Sequence, residues 1–487
     1  MISADVIWML MVPGAPLITA VVLFVFRPKG RSAGWLAGAG TLASLAALLM
    51  LVPVLNRGDV PALALTWVPA AGIELNLHLD WLGLPFALTE AAVTLVAVIY
   101  AWGYVASDES TPIFYALLML FALGMSGTTL ADDMVLFYVF WELMLVASCL
   151  LILIWGDGEQ RGPTALKYFI FTHCGSLLVL VALVILYDRA GADTFSALRG
   201  VVLSARETRT LIALFLVGFS VKMAIFPLHL WLPDAHTVAP MPVTIMLAAA
   251  MLGMGTYGIL RFPMSLFGIE QMATFSVPMM IAGVVSAGYG ALMALAEQDV
   301  KRIVAYSSVS QMGYVLFGLG TLTPNGVEGA TLHVIYHAIV KALLFMVLGL
   351  VIHATGKRRL DELGGLAQKI PVVAASAVIG ALAIAGMPPL VIFDSEWMIF
   401  AGGFETPSTV LPVLAVVASL LTVAYALLLV GRIFFGSERG LELRPRPLAM
   451  VAPTVVLAVL AIVEGIWPAP LFGLVQHELS LLLRGIW

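Results

Sequence analysis

Apolar runs of about 18 or more residues recur along the whole chain, the first at Val6–Phe26 and the last ending near Trp467. Such a chain has few ways to fold. The hydrocarbon of a bilayer satisfies no peptide group, so each run must bond its own backbone as a helix. Only 11% of the 487 residues are charged, against roughly 25% in soluble domains. No stretch of soluble composition is long enough to fold alone. The chain reads as all-α and polytopic, a single integral membrane domain over 1–487. At roughly 20 residues per crossing, about fourteen spans fit: 5–26, 33–55, 81–104, 112–130, 134–155, 165–187, 210–230, 241–262, 275–296, 302–321, 330–353, 371–400, 409–434 and 448–467. The run 371–400 is too long for one straight helix, and Gly386, Pro388 and Pro389 place a break in its middle.

Val6–Phe26 is followed by Arg27, Lys29 and Arg31. A signal peptide has its charges before the apolar run, so this reads as a retained first helix with its N-terminus outside. Alternating from there puts fifteen of the 24 Lys and Arg on the cytoplasmic side and seven outside, with Lys222 and Lys341 inside spans. Both termini are expected outside a prokaryotic cytoplasmic (inner) membrane. The arginines from Arg189 to Arg209 run against the bias. Cys149 and Cys174 lack CxxC spacing, so no disulfide, cluster or zinc is expected. No basic patch points to nucleic acid. The segment 469–487 sets Phe472, Val475, Leu479, Leu482 and Leu483 on one side, an amphipathic helix resting on this chain or on a neighbour.

An ionisable group inside a span costs roughly 2.5–3.5 kcal/mol on insertion scales, so each is either a paired structural charge or a functional one. Glu142 sits in LFYVFWELMLVASCLLI and Lys222 in LFLVGFSVKMAIFPLHLWLPDAH. A lysine among apolar neighbours must find a carboxylate or give up its charge, and Glu142 is the natural partner. Pro227, Pro233, Pro240 and Pro242 follow Lys222 and forbid regular helix. His229, Asp234 and His236 therefore lie in a broken region, either a hydrated path or a connecting loop.

His333, His337 and Lys341, in TLHVIYHAIVKALLFMVLG, recur at i, i+4 and i+8 on one helical face. Each step climbs about 6 Å. Three titratable groups in register read as a proton relay. A metal held by the two histidines lacks a further ligand. In GMPPLVIFDSEWMIFAGG, Glu396 is expected to be buried at the helix break, and Asp394 to serve as a cap or a second carrier. Glu90, in PFALTEAAVTLV, lies inside a span without an evident partner. Ser307, Ser308 and Ser310 either pack across helices or orient water.

These motifs together resemble the antiporter-like subunits of respiratory complex I. The same family holds the large Mrp sodium–proton antiporter subunits and the corresponding subunits of membrane-bound hydrogenases. The resemblance rests on FYVFWELML, VKMAIFPLHLWLPDAH, DVKRIVAYSSVSQMGY, HVIYHAIVKALLF and GMPPLVIFDSEWMIF, between about residues 80 and 400. It implies fourteen helices with two inverted five-helix repeats, spans 4–8 (about 112–262) and spans 9–13 (about 275–434), and broken helices in spans 7 and 12. It implies Glu142–Lys222 as a gating ion pair, span 11 as the link between halves, and Glu396 as the exit-side carrier. The carboxylate at 396 is similar to M-type subunits of complex I, and the His-His-Lys face to L-type, hydrogenase or Mrp relatives. Many relatives carry a lysine where this chain has Gly253, four residues before Tyr257. The implied path has a gap there.

The expected function is proton translocation through Glu142, Lys222, His333, His337, Lys341 and Glu396, with His229, Asp234, His236, Asp394 and Glu90 as further path residues. No catalytic centre or cofactor is expected in this chain. Partners would be other membrane subunits, further antiporter-like ones among them, with lipids. If the drive is redox chemistry, peripheral subunits would carry the redox cofactors. An Mrp-type sodium–proton antiporter subunit and a non-conducting membrane scaffold are the competing readings.

Overall fold

A computed structural model of the chain describes residues 4–68, 73–105, 108–198 and 201–483. Helices α1 (Ala4–Phe26) and α2 (Ser32–Asn56) pack on each other and on α4. A two-stranded antiparallel hairpin follows, β1 (Ala62–Val68) with β2 (Ile73–His78), pairing Ala62 with His78 and Leu65 with Leu75. Then come α3 (Gly83–Tyr104), α4 (Thr111–Leu130), α5 (Met134–Trp155), α6 (Arg161–Ala190) and the single turn α7 (Phe195–Leu198). Asp133 caps α5 by accepting from Leu136 N at 2.7 Å, and Gly191 ends α6 in the left-handed region, φ 62°.

Helix α8 (Ala205–Lys222) opens on a Ser204/Glu207 capping box and stops at Lys222. Helix resumes as α9 (Leu232–Val238) and α10 (Met241–Met246). A π-helical turn, 247–251, leads into α11 (Leu252–Ile259), and a second, 260–264, into α12 (Ser265–Ala296). The helical run from Met241 to Ala296 is interrupted at Gly268, whose φ of 77° and ψ of 162° are non-helical. Helices α13 (Val300–Thr321) and α14 (Pro324–Thr355) lead to α15 (Pro371–Ile384) and α16 (Ile392–Phe404). The chain closes with α17 (Val410–Phe434), α18 (Leu448–Ile466) and α19 (Ala469–Leu483).

Among the described residues, ten helical stretches are long and apolar enough to cross a bilayer. The difference from fourteen has local causes. The run 241–296 is continuous apart from Gly268, and α15 and α16 are 14 and 13 residues long. Helix α8 begins with Arg206, Glu207 and Arg209, and α13 carries Lys301, Arg302 and Gln311. The expected break in 371–400 falls between Ile384 and Ile392. The 62–78 hairpin lies where no structure was expected.

Helices α13 and α14 form the centre, with nearly every residue of both buried. Helices α1, α6 and α17 face outward and expose Ile18, Val184 and Leu420, among others. Apolar side chains directed outward suit a lipid solvent, not water. Small residues let the inner helices approach: a Cβ on Gly283 of α12 would lie 2.6 Å from Phe317 N and 2.7 Å from Gly313 O of α13. The C-terminal segment is helical over Ala469–Leu483, and 484–487 lie outside the described residues.

Candidate ion-translocation site

Glu142 lies in the third turn of α5, and Lys222 is the last residue of α8. The helix stops there because Ala224 takes a positive φ of 56° and Pro227 lacks an amide hydrogen. The freed backbone groups are satisfied locally. Trp231 Nε1 donates to Val221 O at 2.9 Å, Ile225 N to Ser220 O at 3.1 Å, and Phe226 N to Ser286 Oγ at 3.2 Å. A helix end exposes carbonyl oxygens, which favour a cation, and the Lys222 ammonium stands at that end.

The expected Glu142–Lys222 contact is not made. Lys222 Nζ is buried without a hydrogen-bond partner and lies 4.9 Å from the Trp141 ring centroid. Glu142 Oε2 instead meets His173 Nδ1 of α6 at 3.1 Å, while its Oε1 is buried and unpartnered. Trp141 is held by its own donation to Ser176 Oγ at 3.0 Å. The two charges face one locality with the Trp141 ring beside the lysine. Nothing in the sequence singled out His173, a lone histidine in an apolar span.

Beyond the break, His229 is buried with neither ring nitrogen partnered, its ring 5.6 Å from Phe226 and 4.9 Å from Tyr289 between centroids. His236 places Nδ1 3.1 Å from Leu232 O and leaves Nε2 unpartnered. Asp234 accepts from Lys167 Nζ of α6 and from Arg302 Nη1 of α13, each at 2.7 Å. It thereby ties three helices.

The α14 face does form, but its members bond outward and not to one another. His333 sits between Ser395 Oγ at 3.0 Å and Gln311 Oε1 at 2.8 Å. His337 is buried with Nε2 unpartnered. Lys341 Nζ donates to Val304 O at 3.0 Å and to Ser307 Oγ. Through Ser395, His333 reaches the helix that carries Glu396. Glu396 is buried in the second turn of α16, with Oε1 unpartnered. Gly386, at φ 65°, leaves room for its other oxygen, which a Cβ there would strike. Asp394 occupies the first turn of α16. At Gly253 a Cβ would meet Val334 Cγ1 at 2.8 Å, so an apolar side chain of α14 borders the gap. Glu90 lies apart from this line, on α3. Among the described residues, no three His, Cys, Asp or Glu gather as metal ligands.

A multi-pass helical protein with carboxylate, lysine and histidine groups buried beside two interrupted helices belongs, as a class, with antiporter-like membrane subunits. Residues 131–422 match the family described as NADH:quinone oxidoreductase/Mrp antiporter, TM, and the chain belongs to it. It is 34% identical over 462 residues to NAD(P)H-quinone oxidoreductase chain 4 2 of Microcystis aeruginosa, covering 91% of this chain and 82% of the relative. It is 32% identical over 494 residues to F(420)H(2) dehydrogenase subunit M of Methanosarcina mazei, covering 95% of each. A chain in the structure of the Mrp complex from Dietzia sp. superposes with a TM-score of 0.89 at 25% identity, covering 99% of this chain and 98% of that one.

Proposed function

We propose that this chain is the proton-translocating, antiporter-like subunit of a multi-subunit membrane complex driven by redox chemistry in other subunits. The carrying observation is the buried, unpartnered Lys222 ammonium at the end of α8, beside a carboxylate that has another partner. A buried charge without a partner is costly. Movement of the Glu142 carboxylate from His173 to Lys222 would stabilise the lysine's charge, and its return would release the proton onward. His229 and His236, then His333, His337 and Lys341, and finally Glu396, supply acceptors in sequence. Asp394 stands near the end of that line. The hops between them exceed a hydrogen bond and run through water.

This reading includes the finer architecture. Fourteen spans, with 112–262 and 275–434 as inverted repeats, account for two interrupted helices in corresponding places. Both termini lie outside a prokaryotic cytoplasmic membrane, other membrane subunits flank the chain, and peripheral subunits hold the redox cofactors. Relatives above 30% identity that are named as oxidoreductase or dehydrogenase chains support the redox drive. The likeness to a chain of the Mrp complex supports a second reading, a sodium–proton antiporter subunit without a redox partner.

The test is proton flux in vesicles. Lys222→Met and Glu142→Gln abolish pumping while the complex still assembles. Pumping that persists in both variants sinks the mechanism. Flavin, iron–sulfur or nickel in co-purifying subunits separates redox drive from antiport.

A further inference from the structure

A cavity of about 580 Å³ lies away from the proton line, where the starts of α2, α4 and α18 meet the end of α3. Glycines make that meeting close. A Cβ on Gly34 of α2 would lie 2.7 Å from Trp102 Cδ1, and one on Gly103 of α3 would lie 2.8 Å from Pro447 Cβ at the head of α18. Trp102 is fixed by donating Nε1 to Gly34 O at 2.8 Å, and the Trp102 and Trp35 ring centroids are 4.6 Å apart. Trp35 and Leu448 share the lining and are exposed. Tryptophans gather where hydrocarbon gives way to headgroups, so the cavity opens at that level of the bilayer.

The side-chain groups left free at the cavity are donors. Tyr115 is 3% exposed, lines the cavity, and makes no side-chain hydrogen bond among the described residues. Its hydroxyl lies 3.1 Å from the Cβ position of Gly34, at the first turn of α2. Arg31 also lines the cavity, and Lys29 and Arg446 are chain neighbours of the lining residues Gly30 and Pro447. Among the described residues, none of these three cations is in an ion pair. Asp108, near the lining residue Thr111, is already engaged by Ser110 N at 2.8 Å and Thr111 N at 3.1 Å.

We infer that this cavity seats one anionic phospholipid, its phosphate held by Tyr115 and Arg31 and its acyl chains leaving over Trp35 and Leu448. A phosphate oxygen accepts from both a hydroxyl and a guanidinium. The further positive charge of Lys29 and Arg446 favours a headgroup with net negative charge over a zwitterionic one. Free phosphate would use the same donors but leave the apolar wall uncovered. The lipid links α2, early in the chain, to α18, late in it. It involves none of the groups placed on the proton line, so it stands or falls apart from that reading.

The test follows the melting temperature of the full chain, purified in detergent and stripped of lipid, during titration with phosphatidylglycerol, phosphatidylcholine or inorganic phosphate. Phosphatidylglycerol should raise it at several-fold lower concentration than phosphatidylcholine, and inorganic phosphate should not raise it. Tyr115→Phe, which removes only the hydroxyl, and Arg31→Gln should each need several-fold more phosphatidylglycerol. Arg432→Gln, which removes an exposed arginine from the end of α17, should match wild type. Unchanged titrations in Tyr115→Phe and Arg31→Gln overturn the site, as does an equal response to the two lipids. A loss in Arg432→Gln as large as that in Arg31→Gln marks attraction to the surface at large and overturns it too. A rise with inorganic phosphate marks a free-anion site and overturns the lipid. Should the stripped chain precipitate, native mass spectrometry after extraction from mixed vesicles of the two lipids decides. Wild type should then retain one more phosphatidylglycerol than either cavity variant, and equal retention overturns the proposal.

Discussion

The Glu142 carboxylate is 3.1 Å from the His173 imidazole, and the Lys222 ammonium makes no hydrogen bond at all. The pair with a positional role is thus carried by neighbouring helices α5 and α6, and the lysine waits at the end of α8. Hydrogen bonds to charged groups contribute about 1.5–3 kcal/mol. His173→Gln should therefore change the coupled proton flux by about ten- to a hundredfold, with little effect on the amount of assembled protein. Flux in vesicles, compared with protein recovery, reads both. Unchanged flux removes His173 from the mechanism.

Arg261 and Asp80 form a buried bidentate pair, 2.6 and 2.7 Å, between the end of the hairpin segment and the helix after α11. Arg261 Nε also donates to Tyr257 OH at 3.0 Å. Removing one member leaves the other charged and buried, at a cost of about 3–5 kcal/mol. Asp80→Asn or Arg261→Met should lower unfolding stability on that scale. Asp80→Leu with Arg261→Met together should lose less. Denaturant unfolding in detergent decides it, and a loss below about 1 kcal/mol for either single variant would count against the anchor.

The same cluster gives a pH dependence. Burial alone would lower the His78 pKa, but the Asp80 and Asp132 carboxylates outweigh it and raise the pKa to about 9. The imidazole is 3.3 Å from Asp80 and 3.1 Å from Asp132. A raised histidine stabilises the fold while it is protonated in the folded state. The contribution, on the order of 3 kcal/mol, is complete below about pH 6.5 and disappears as pH rises through about 9. Melting temperature should fall over that window in wild type, and His78→Gln should flatten the profile. A wild-type profile already flat from pH 6.5 to 9.5 refutes the assignment.

Helix α12 offers a paired control on packing. A Cβ on Gly283 would collide with the backbone of α13, whereas one on Gly288 would meet nothing within 4 Å. Gly283→Leu should prevent accumulation of folded protein, and Gly288→Leu should be tolerated. Equal yields of the two variants in membranes would contradict the close approach of α12 and α13.

Much of this was legible in the chain because lipid-spanning helices obey local rules. Apolar runs marked α1–α6, and prolines marked the breaks after Lys222 and near Pro389. Burial of Lys222, His333, His337, Lys341 and Glu396 followed from their apolar surroundings. What escaped was what depends on contact. His173 gains meaning only when α6 sets it against Glu142, 31 residues away. Asp80 and Arg261 are 181 residues apart. The 62–78 hairpin alternates over a few residues, a pattern that a search for 20-residue runs passes over. Glu90 had no visible partner in the sequence, and the residues beside its small cavity come from three other helices, α1, α2 and α4.

Asp234 gives the interruption after Lys222 a mechanical character. It is pinned at 2.7 Å to both Lys167 and Arg302, so α9 is bolted to α6 and α13 at one end. The stretch from Met223 to Trp231 is thereby a strap fastened at both ends, by Asp234 on one side and on the other by Trp231 Nε1 and Ile225 N, which donate back to Val221 O at 2.9 Å and Ser220 O at 3.1 Å.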